Sequence, residues 1–283
     1  MQHYQTKIYQ KEHSKGVLSY LKDSLNDIYN SRFLAKQLAV RDIKAQYRQS
    51  YFGILWAFVT PLTTAFVWVF LSLTGTIKLT DTGVPYPLFA FAGTLIWSMF
   101  KDAINAPIQN TTAAKGIMSK INFPKEALIV SGVYKLLFNS SVKFVMLFGF
   151  LLLFGVGLHS SLVWLPLVLL GILVFGTAIG LLITPIGMLY KDVMKLINLG
   201  LTFIMYITPV VYVIPKEDGL MKTLMELNPL TPLIVTVKDV AFGAEPMYLG
   251  YFLILMSLSV PVFFIGLIFY RISIPIIVER LSA

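Results

Sequence analysis

The chain has 283 residues, of which 57% are hydrophobic and 13% charged, with a formal net charge of +9. A soluble domain is typically about 45–50% apolar and about 25% charged, so this composition excludes an ordinary water-soluble protein and indicates an integral membrane protein. The charges lie mainly between apolar runs, and the basic excess therefore reports topology rather than nucleic-acid binding. With no cysteine and three scattered histidines, we predict no metal site.

The N-terminal segment 1–52 is mostly polar and lacks the apolar run and cleavage site of a signal peptide. Within it, Leu18, Leu21 and Leu25 recur at helical spacing, and residues 31–48 mix apolar residues with five basic ones. This pattern predicts a basic amphipathic interface helix against the inner leaflet. Two roles stay open for it: contact with anionic lipid head groups, or docking of a protein partner.

Six apolar stretches are long enough for spanning helices, which need about 20 residues each. They lie near 53–76, 83–101, 127–156, 162–187, 196–214 and 249–270. We therefore predict an all-α integral membrane fold with a transmembrane domain over 53–270 and a tail over 271–283. No Asp or Glu lies within these spans, so the carboxylate relay of many proton-coupled carriers is not expected. Six spans suggest half of a transport pathway, completed by a second copy.

The basic residues assign the orientation of the six spans. The segments predicted to share a side with the termini carry 17 Lys and Arg, whereas the opposite loops carry four. The positive-inside rule therefore predicts that both termini are cytoplasmic. Lys135 and Lys143 remain inside the third span, and an ionisable residue at such a position indicates a functional site.

Two connections are longer than minimal loops. The cytoplasmic loop 102–125 can hold a short helix within 113–121, which suggests that a soluble protein binds there. The external segment 215–248 is apolar enough to re-enter the membrane, and Asn228-Pro229 and Thr231-Pro232 are expected to break it into two short pieces. An external cap on the bundle is the alternative for this segment.

Several motifs are spread along the chain in a fixed order. Residues 38–56 read LAVRDIKAQYRQSYFGILW, and Pro61 follows. Further motifs are Tyr86-Pro-Leu-Phe, Ala92-Gly-Thr-Leu-Ile-Trp97, Asn122-Phe-Pro-Lys-Glu126, Tyr190-Lys-Asp192, Ile207-Thr-Pro-Val-Val-Tyr212 and Asn228-Pro-Leu-Thr-Pro232. Together they resemble the membrane subunits of ABC transporters that export polysaccharides, the Wzm, TagG and KpsM group. Lys191 departs from that pattern, in which Arg usually precedes the aspartate, and it lacks the guanidinium fork.

The resemblance implies a homodimer of six-helix subunits in the bacterial inner membrane. It implies two ATPase subunits on the cytoplasmic face, which bind ATP and Mg, since this chain has no Gly-Lys-Ser/Thr phosphate loop and so no nucleotide cofactor of its own. It further implies a glycan carried on undecaprenyl diphosphate, such as O antigen, teichoic acid or capsule. The implied ATPase-coupling residues are Ala113, Lys115, Gly116, Lys120, Tyr190, Lys191 and Asp192, and the implied external gate residues are Asn228, Pro229 and Pro232.

Two groups of residues are candidates for contact with such a glycan. Aromatic faces stack on sugar rings without fixed charge, and the candidate channel lining is Phe52, Trp56, Phe66, Phe70, Tyr206 and Tyr212. For each aromatic, an interfacial belt or core packing is the alternative. The candidate diphosphate ligands are Arg41, Lys44, Arg48 and Lys135. Lipid or partner contact is the alternative for the first two, and snorkelling or a backbone carbonyl for Lys135.

Two other functions stay open at this point. A permease for drug or small-molecule efflux would share the ABC arrangement, but drug-exporting relatives tend to have a longer external domain than the connection 77–82. An intramembrane enzyme acting on polyprenyl lipids would need clustered acids or histidines at one membrane interface, and the sequence offers only the isolated His159 and Asp192.

Overall fold

The computed structural model describes residues 16–48, 51–75, 82–118 and 120–282, and the regular secondary structure within these ranges is helical. The helices, in chain order, are α1 Val17–Asn30, α2 Arg32–Arg48, α3 Trp56–Leu73, α4 Tyr86–Ala113, α5 Lys115–Met118, α6 Glu126–Leu153, α7 Leu165–Leu189, α8 Lys191–Ile207, α9 Leu220–Leu227, α10 Leu230–Phe242 and α11 Leu249–Ser282. Short 3-10 turns lie at Gly53–Leu55 and Ser160–Val163.

Three helices, α6, α7 and α11, are long and apolar enough to cross a membrane by length and composition. A shorter apolar stretch covers 59–73 of α3. These helices confirm the prediction of an all-α membrane protein, because helices satisfy their own backbone hydrogen bonds where water is absent.

Glycines set the close packing of α7 on α4. A Cβ atom added at Gly180 would lie 2.3 Å from the carbonyl oxygen of Ile104, and Gly176, one turn earlier, faces α4 in the same way. Gly187 then meets Ile108, so the contacts advance in the same direction along both helices and α4 and α7 run parallel. Small residues bring membrane helices this close because no side chain separates the backbones.

The other long helices follow from similar contacts. Gly171 of α7 lies against Met256 of α11, and Gly266 of α11 lies against Leu181 of α7, so these helices are also parallel. By contrast, α6 runs antiparallel to α4, since Asn110 contacts Leu128 near one end of the pair while Asp102 contacts Lys143 farther along. The C-terminal ends of α4, α7 and α11 and the N-terminal end of α6 therefore lie together.

The two N-terminal helices pack at this end of the bundle. Ser31, just before α2, and Ala35 and Ala39 on it are buried and recur every four residues, so a stripe of small side chains lets α2 lie along α6. On α1, the buried residues are the polar Ser24 and Asp27, which face α6 and α11. The predicted interface segment is thus two helices, each held to the bundle by its own face.

Several helix boundaries differ from the predicted spans. Helix α4 continues past residue 101 to Ala113 and carries Asp102 inside it, and α11 continues through the predicted tail to Ser282. Helix α8 covers Lys191–Ile207 rather than 196–214, because charged residues are tolerated in its first turn and Pro209 cannot continue it. Counting charges marks the apolar part of a helix, whereas the hydrogen-bonded helix extends into polar sequence.

The external segment 215–248 contains two short helices, as expected, separated at one of the two expected breaks. Helices α9 and α10 are separated at Asn228-Pro229, as expected, but Pro232 lies in the first turn of α10 and does not break it. The expected break at Thr231-Pro232 is therefore wrong, because the first turn of a helix has no intrahelical partner for the missing N–H of proline.

The glycine contact between α4 and α7 gives a first prediction. Gly180→Val places a branched side chain against the Ile104 carbonyl, and such overpacking typically costs about 1–3 kcal/mol. We expect a lower Tm for the purified protein in detergent. Gly149→Val is the matched control, because a Cβ atom at Gly149 meets nothing within 4 Å. Equal melting of the two variants would contradict the packing role of Gly180.

Candidate functional site

A polar groove lies between α2, α3, α4 and α6. It consists of two cavities of about 480 and 290 Å³ that share Gln46, Asp102 and Asn139 as lining residues. The other polar side chains that line it are Thr60, Ser98, Lys101, Gln109, Asn110, Lys135 and Lys143. Trp56 lines the larger cavity. Ionisable groups are thus concentrated between otherwise apolar helices, which is typical of a functional site in a membrane protein.

Lys143 enters the groove from α6 and pairs with α4. Its ammonium donates hydrogen bonds to Asp102 Oδ2 at 2.6 Å and to Ser98 Oγ at 2.9 Å. The Lys143 side chain is only 9% exposed, whereas that of Asp102 is 48% exposed. A buried charge is costly unless it is paired and hydrogen-bonded, so this pairing explains how a lysine lies near the middle of α6.

Lys135 connects three helices. Its Nζ donates to Asn110 Oδ1 on α4 at 3.2 Å and lies 3.6 Å from Asp42 Oδ2 on α2. The other oxygen of Asp42 accepts hydrogen bonds from Arg41 at 2.9 and 2.8 Å. The structure therefore brings together two of the diphosphate candidates, Arg41 and Lys135, through one carboxylate. Both of these partners of Lys135 are side-chain oxygens, one on α4 and one on α2.

The remaining diphosphate candidates, Lys44 and Arg48, lie one turn apart on α2 and are exposed. Neither has an ion-pair partner among the residues that the structure describes. Their charges are consequently available to an anion, whereas the charges of Arg41 and Lys135 are already offset by Asp42.

The predicted aromatic face of α3 lies on the surface of the subunit. Phe52, Trp56, Phe66 and Phe70 are each more than half exposed, while Ala65 on the other side of the helix is buried. The rings of Phe52 and Trp56 meet edge to face with centroids 5.9 Å apart. This arrangement excludes packing in the core of the subunit as the role of these four side chains.

The two predicted tyrosines lie at the end of α8. Tyr206 is exposed, and its ring lies 6.3 Å from that of Trp68 on α3. The hydroxyl of Tyr212 donates to the backbone carbonyl of Tyr206, so the two tyrosines are adjacent. Trp68, which was absent from the predicted set, is the residue that brings α8 to α3.

The predicted ATPase-coupling residues fall at one end of the bundle. Ala113, Lys115, Gly116 and Lys120 are exposed around α5. Tyr190 and Asp192 are exposed at the start of α8, where Asp192 accepts a hydrogen bond from Lys195 at 3.2 Å. The side chain of Lys191 lies outside the described part of the structure. The residues around α5 follow the C-terminal end of α4, and those at the start of α8 follow the C-terminal end of α7. Because α4 and α7 are parallel, these two distant stretches of sequence share a surface.

A charge cluster that the sequence did not reveal joins α1, α6 and α11 at this end. Nη1 of Arg271 donates to Asp27 Oδ2 at 2.8 Å and to Glu126, and Ser24 Oγ donates to Glu126 Oε1 at 3.2 Å. Glu126 is 3% exposed and Asp27 is 7% exposed. Tyr270, also buried, lies beside this cluster with its hydroxyl 3.0 Å from Thr111. Glu126 ends the motif Asn122-Phe-Pro-Lys-Glu126, and Arg271 flanks an apolar run, but neither feature reveals that the two side chains pair.

The predicted gate residues hold the external segment to α8. The side chain of Asn228 donates to Thr208 Oγ1 at 2.8 Å and accepts from the backbone N–H of Leu230 at 3.0 Å. Asn228 thus satisfies a free N–H at the start of α10, as side chains at helix N-termini do. Pro229 precedes α10, and Pro232 is buried in its first turn.

The buried Lys238 of α10 also binds the external segment to the residues that follow α8. Its ammonium donates to the carbonyls of Pro209 at 2.7 Å and Val210 at 3.3 Å, and it lies 3.6 Å from the centroid of the Phe89 ring. Burial lowers the pKa of Lys238 to about 7, and the charge of Asp239 opposes that shift. The sequence marked Lys238 only as one of four external charges.

Comparisons with known proteins agree with this arrangement. The profile of the ABC-2 type transporter family matches residues 34–242. The chain is 26% identical over 234 residues to the O-antigen export system permease protein RfbA of Myxococcus xanthus, covering 79% of this chain and 87% of that protein. It is 26% identical over 225 residues to a protein of the same name from Klebsiella pneumoniae, covering 76% of this chain and 84% of that protein. A second Klebsiella pneumoniae protein of that name is 24% identical over 220 residues, covering 75% and 82%.

The charge cluster gives a second prediction. Arg271→Met leaves Asp27 and Glu126 buried without their shared cation, and removal of one partner from a buried ion pair costs about 3–5 kcal/mol. We expect the variant to melt at a distinctly lower temperature in detergent. Arg280→Met, an exposed arginine on the same helix, should melt like the wild type. If both variants keep the wild-type Tm, the cluster does not hold α1 to the bundle.

Proposed function

The chain belongs to the ABC-2 type transporter family, and on that premise we propose that it is the membrane subunit of an exporter of lipid-linked polysaccharide. The proposed cargo is a glycan on undecaprenyl diphosphate, such as O antigen, teichoic acid or capsule, carried outward across the bacterial inner membrane. The observation that carries this proposal is the similarity to relatives named as O-antigen export permeases, over 82–87% of their lengths.

The proposed subunit has six spans, formed by α3, α4, α6, α7, α8 and α11, with α9 and α10 as an external re-entrant hairpin. The parallel course of α4, α7 and α11, with α6 antiparallel, supports this alternation. Helix α8 has 17 residues, or about 26 Å, slightly less than the hydrocarbon thickness of about 30 Å. Both termini are cytoplasmic in this arrangement, and membrane lipids surround the bundle.

The proposed complex is a homodimer with two ATPase subunits, which bind the ATP and Mg. Their docking surface consists of α2 and the exposed residues around α5 and at the start of α8. Helix α2 contacts Lys135 and lies along α6, and this contact offers a direct mechanical link from a docked ATPase to the helix bundle. Movement of α2 is thereby communicated to α6 and α4.

The glycan path is proposed to follow the exposed aromatic face of α3 together with Tyr206 and Tyr212 of one subunit and its partner. An aromatic face on the outside of a subunit suits a channel between two copies, because stacking on sugar rings needs no fixed charge. Lys44 and Arg48 are proposed as the first contacts of the diphosphate, since neither is offset by a carboxylate within the described residues. Arg41 and Lys135 are secondary candidates that require displacement of Asp42.

The proposed function is tested by purifying the chain together with its proposed ATPase partner and reconstituting both in nanodiscs. We expect a stable complex whose ATP hydrolysis is stimulated by the lipid-linked glycan of the source bacterium. Free undecaprenol, which lacks both diphosphate and sugar, serves as the control lipid. Failure of the two proteins to co-purify, or equal hydrolysis with both lipids, would contradict the proposal.

A double variant tests the diphosphate contacts. Lys44→Ala with Arg48→Ala removes two charge-assisted hydrogen-bonding groups, each worth about 1.5–3 kcal/mol when it binds an anion. We expect the lipid-linked glycan concentration that half-saturates ATPase stimulation to rise at least about tenfold. Lys22→Ala, an exposed lysine on α1, should leave that concentration unchanged. An unaltered value in the double variant would remove both residues from the site.

A further inference from the structure

The larger cavity of the polar groove contains an ion pair between two long helices. Helices α4 and α6 each have 28 residues, or about 42 Å. Asp102 is 16 residues from the start of α4 and Lys143 is 17 residues from the start of α6. The ion pair between them therefore lies near the middle of both helices, about 24–26 Å from either start.

The two partners of this ion pair face different surroundings. Lys143 is buried against Ser98, whereas almost half of the Asp102 side chain is exposed to the cavity. A half-exposed carboxylate cannot face lipid hydrocarbon without a cost of several kcal/mol. The groove must consequently face water or a polar ligand.

The charges and hydrogen-bonding groups of the residues that line the groove indicate which polar ligand it suits. Of the three ammonium groups that line the groove, that of Lys101 has no ion pair among the described residues. The other two are each offset by a carboxylate, Lys143 by Asp102 and Lys135 by Asp42. Such pairs present hydrogen-bond donors and acceptors in similar number but little net charge for a diphosphate. Asn139 and Gln46 add amides, which both donate and accept. This balance matches hydroxyl groups, since each hydroxyl is itself a donor and an acceptor.

An aromatic ring completes the site. Trp56 lines the cavity that contains Asp102 and Lys143 and is 53% exposed. The indole offers an apolar face for a ring whose edge carries the polar groups. The cavity volume of about 480 Å³ falls in the range of about 300–1,000 Å³ that small-molecule sites occupy.

We propose that the polar groove between α3, α4 and α6 is a saccharide subsite, in which Asp102 and Asn139 bind sugar hydroxyls and Trp56 stacks on a sugar ring. This inference rests on the proposed function and extends it. The aromatic face at the surface guides the glycan, whereas the groove within each subunit holds individual sugars by hydrogen bonds. The diphosphate binds elsewhere, at the exposed cations of α2.

The test separates sugar from diphosphate with two probes. One is a soluble oligosaccharide of a few repeat units, released by mild acid from the lipid-linked glycan of the source bacterium. The other is undecaprenyl diphosphate without sugar. Binding of each probe to the complex of this chain with its ATPase in nanodiscs gives a Kd for the wild type and for each variant.

We expect Asp102→Asn and Trp56→Ala each to raise the Kd for the oligosaccharide about tenfold, and the Kd for undecaprenyl diphosphate to change by less than about twofold. Trp56→Phe, which keeps an aromatic face, should recover most of the oligosaccharide affinity. Ser141→Ala is the control on α6, because that hydroxyl is exposed and bonds only to its own helix, at the Phe138 carbonyl. If Asp102→Asn fails to assemble, Gln46→Ala still decides, since that side chain is exposed, lines both cavities and lies outside the aromatic face.

Four results would overturn the proposal. In the first, the oligosaccharide fails to bind the wild type although the lipid-linked glycan stimulates ATP hydrolysis. The export function then stands and the subsite does not. In the second, the groove variants bind the oligosaccharide as tightly as the wild type does, which means that the ion pair only joins α4 to α6. In the third, the variants lose affinity for undecaprenyl diphosphate instead, which makes the groove an anion site. If the lipid-linked glycan neither binds nor stimulates, the proposed function fails and the subsite fails with it.

Discussion

Pairing of opposite charges between helices holds this subunit together at the points where its helices are not apolar. Arg271 joins α11 to Asp27 of α1 and to Glu126 of α6, and Lys143 joins α6 to α4 through Asp102. Because an unpaired charge in a low-dielectric interior costs several kcal/mol, these pairs permit few alternative arrangements of the helices. Helix α1 is bound to the bundle through the Asp27–Arg271 pair, whereas α2 is bound by small-residue packing together with the Asp42–Lys135 pair.

The same pairing determines which charges remain for partners. Asp42 offsets Arg41 and Lys135, whereas Lys44 and Arg48, on the exposed side of α2, remain open. Asp42 and Lys135 also make α2 a mechanical connection, because the helix that carries the open cations is tied to α6. A substrate head group and a docked ATPase would therefore act on one element, which offers a simple route for coupling ATP hydrolysis to the glycan.

Within each subunit, the polar groove and the aromatic face of α3 have different proposed roles. Glycines at positions such as Gly180 bring α4 and α7 into backbone contact, and this close core leaves α3 at the periphery with its aromatic face outward. The polar groove opens beside that face, and Trp56 belongs to both. The aromatic face that is proposed to guide the glycan and the hydrogen-bonding groove thus meet at Trp56. A long polyhydroxyl chain needs weak contacts of both kinds.

The sequence by itself determined the membrane class, the helices and the family resemblance, because apolar length, helical spacing and short motifs are local properties. It also marked Lys135 and Lys143 as unusual, since a lysine in an apolar run needs no fold to be noticed. Only the tertiary structure decided their partners: Asp102, predicted to lie just beyond a span, and Asp42, predicted to lie on a surface helix. Arg271, Lys238 and the pairing of Glu126 escaped notice for the same reason, because the cost of burying a charge depends on neighbours that are distant in sequence and meet only when the helices pack.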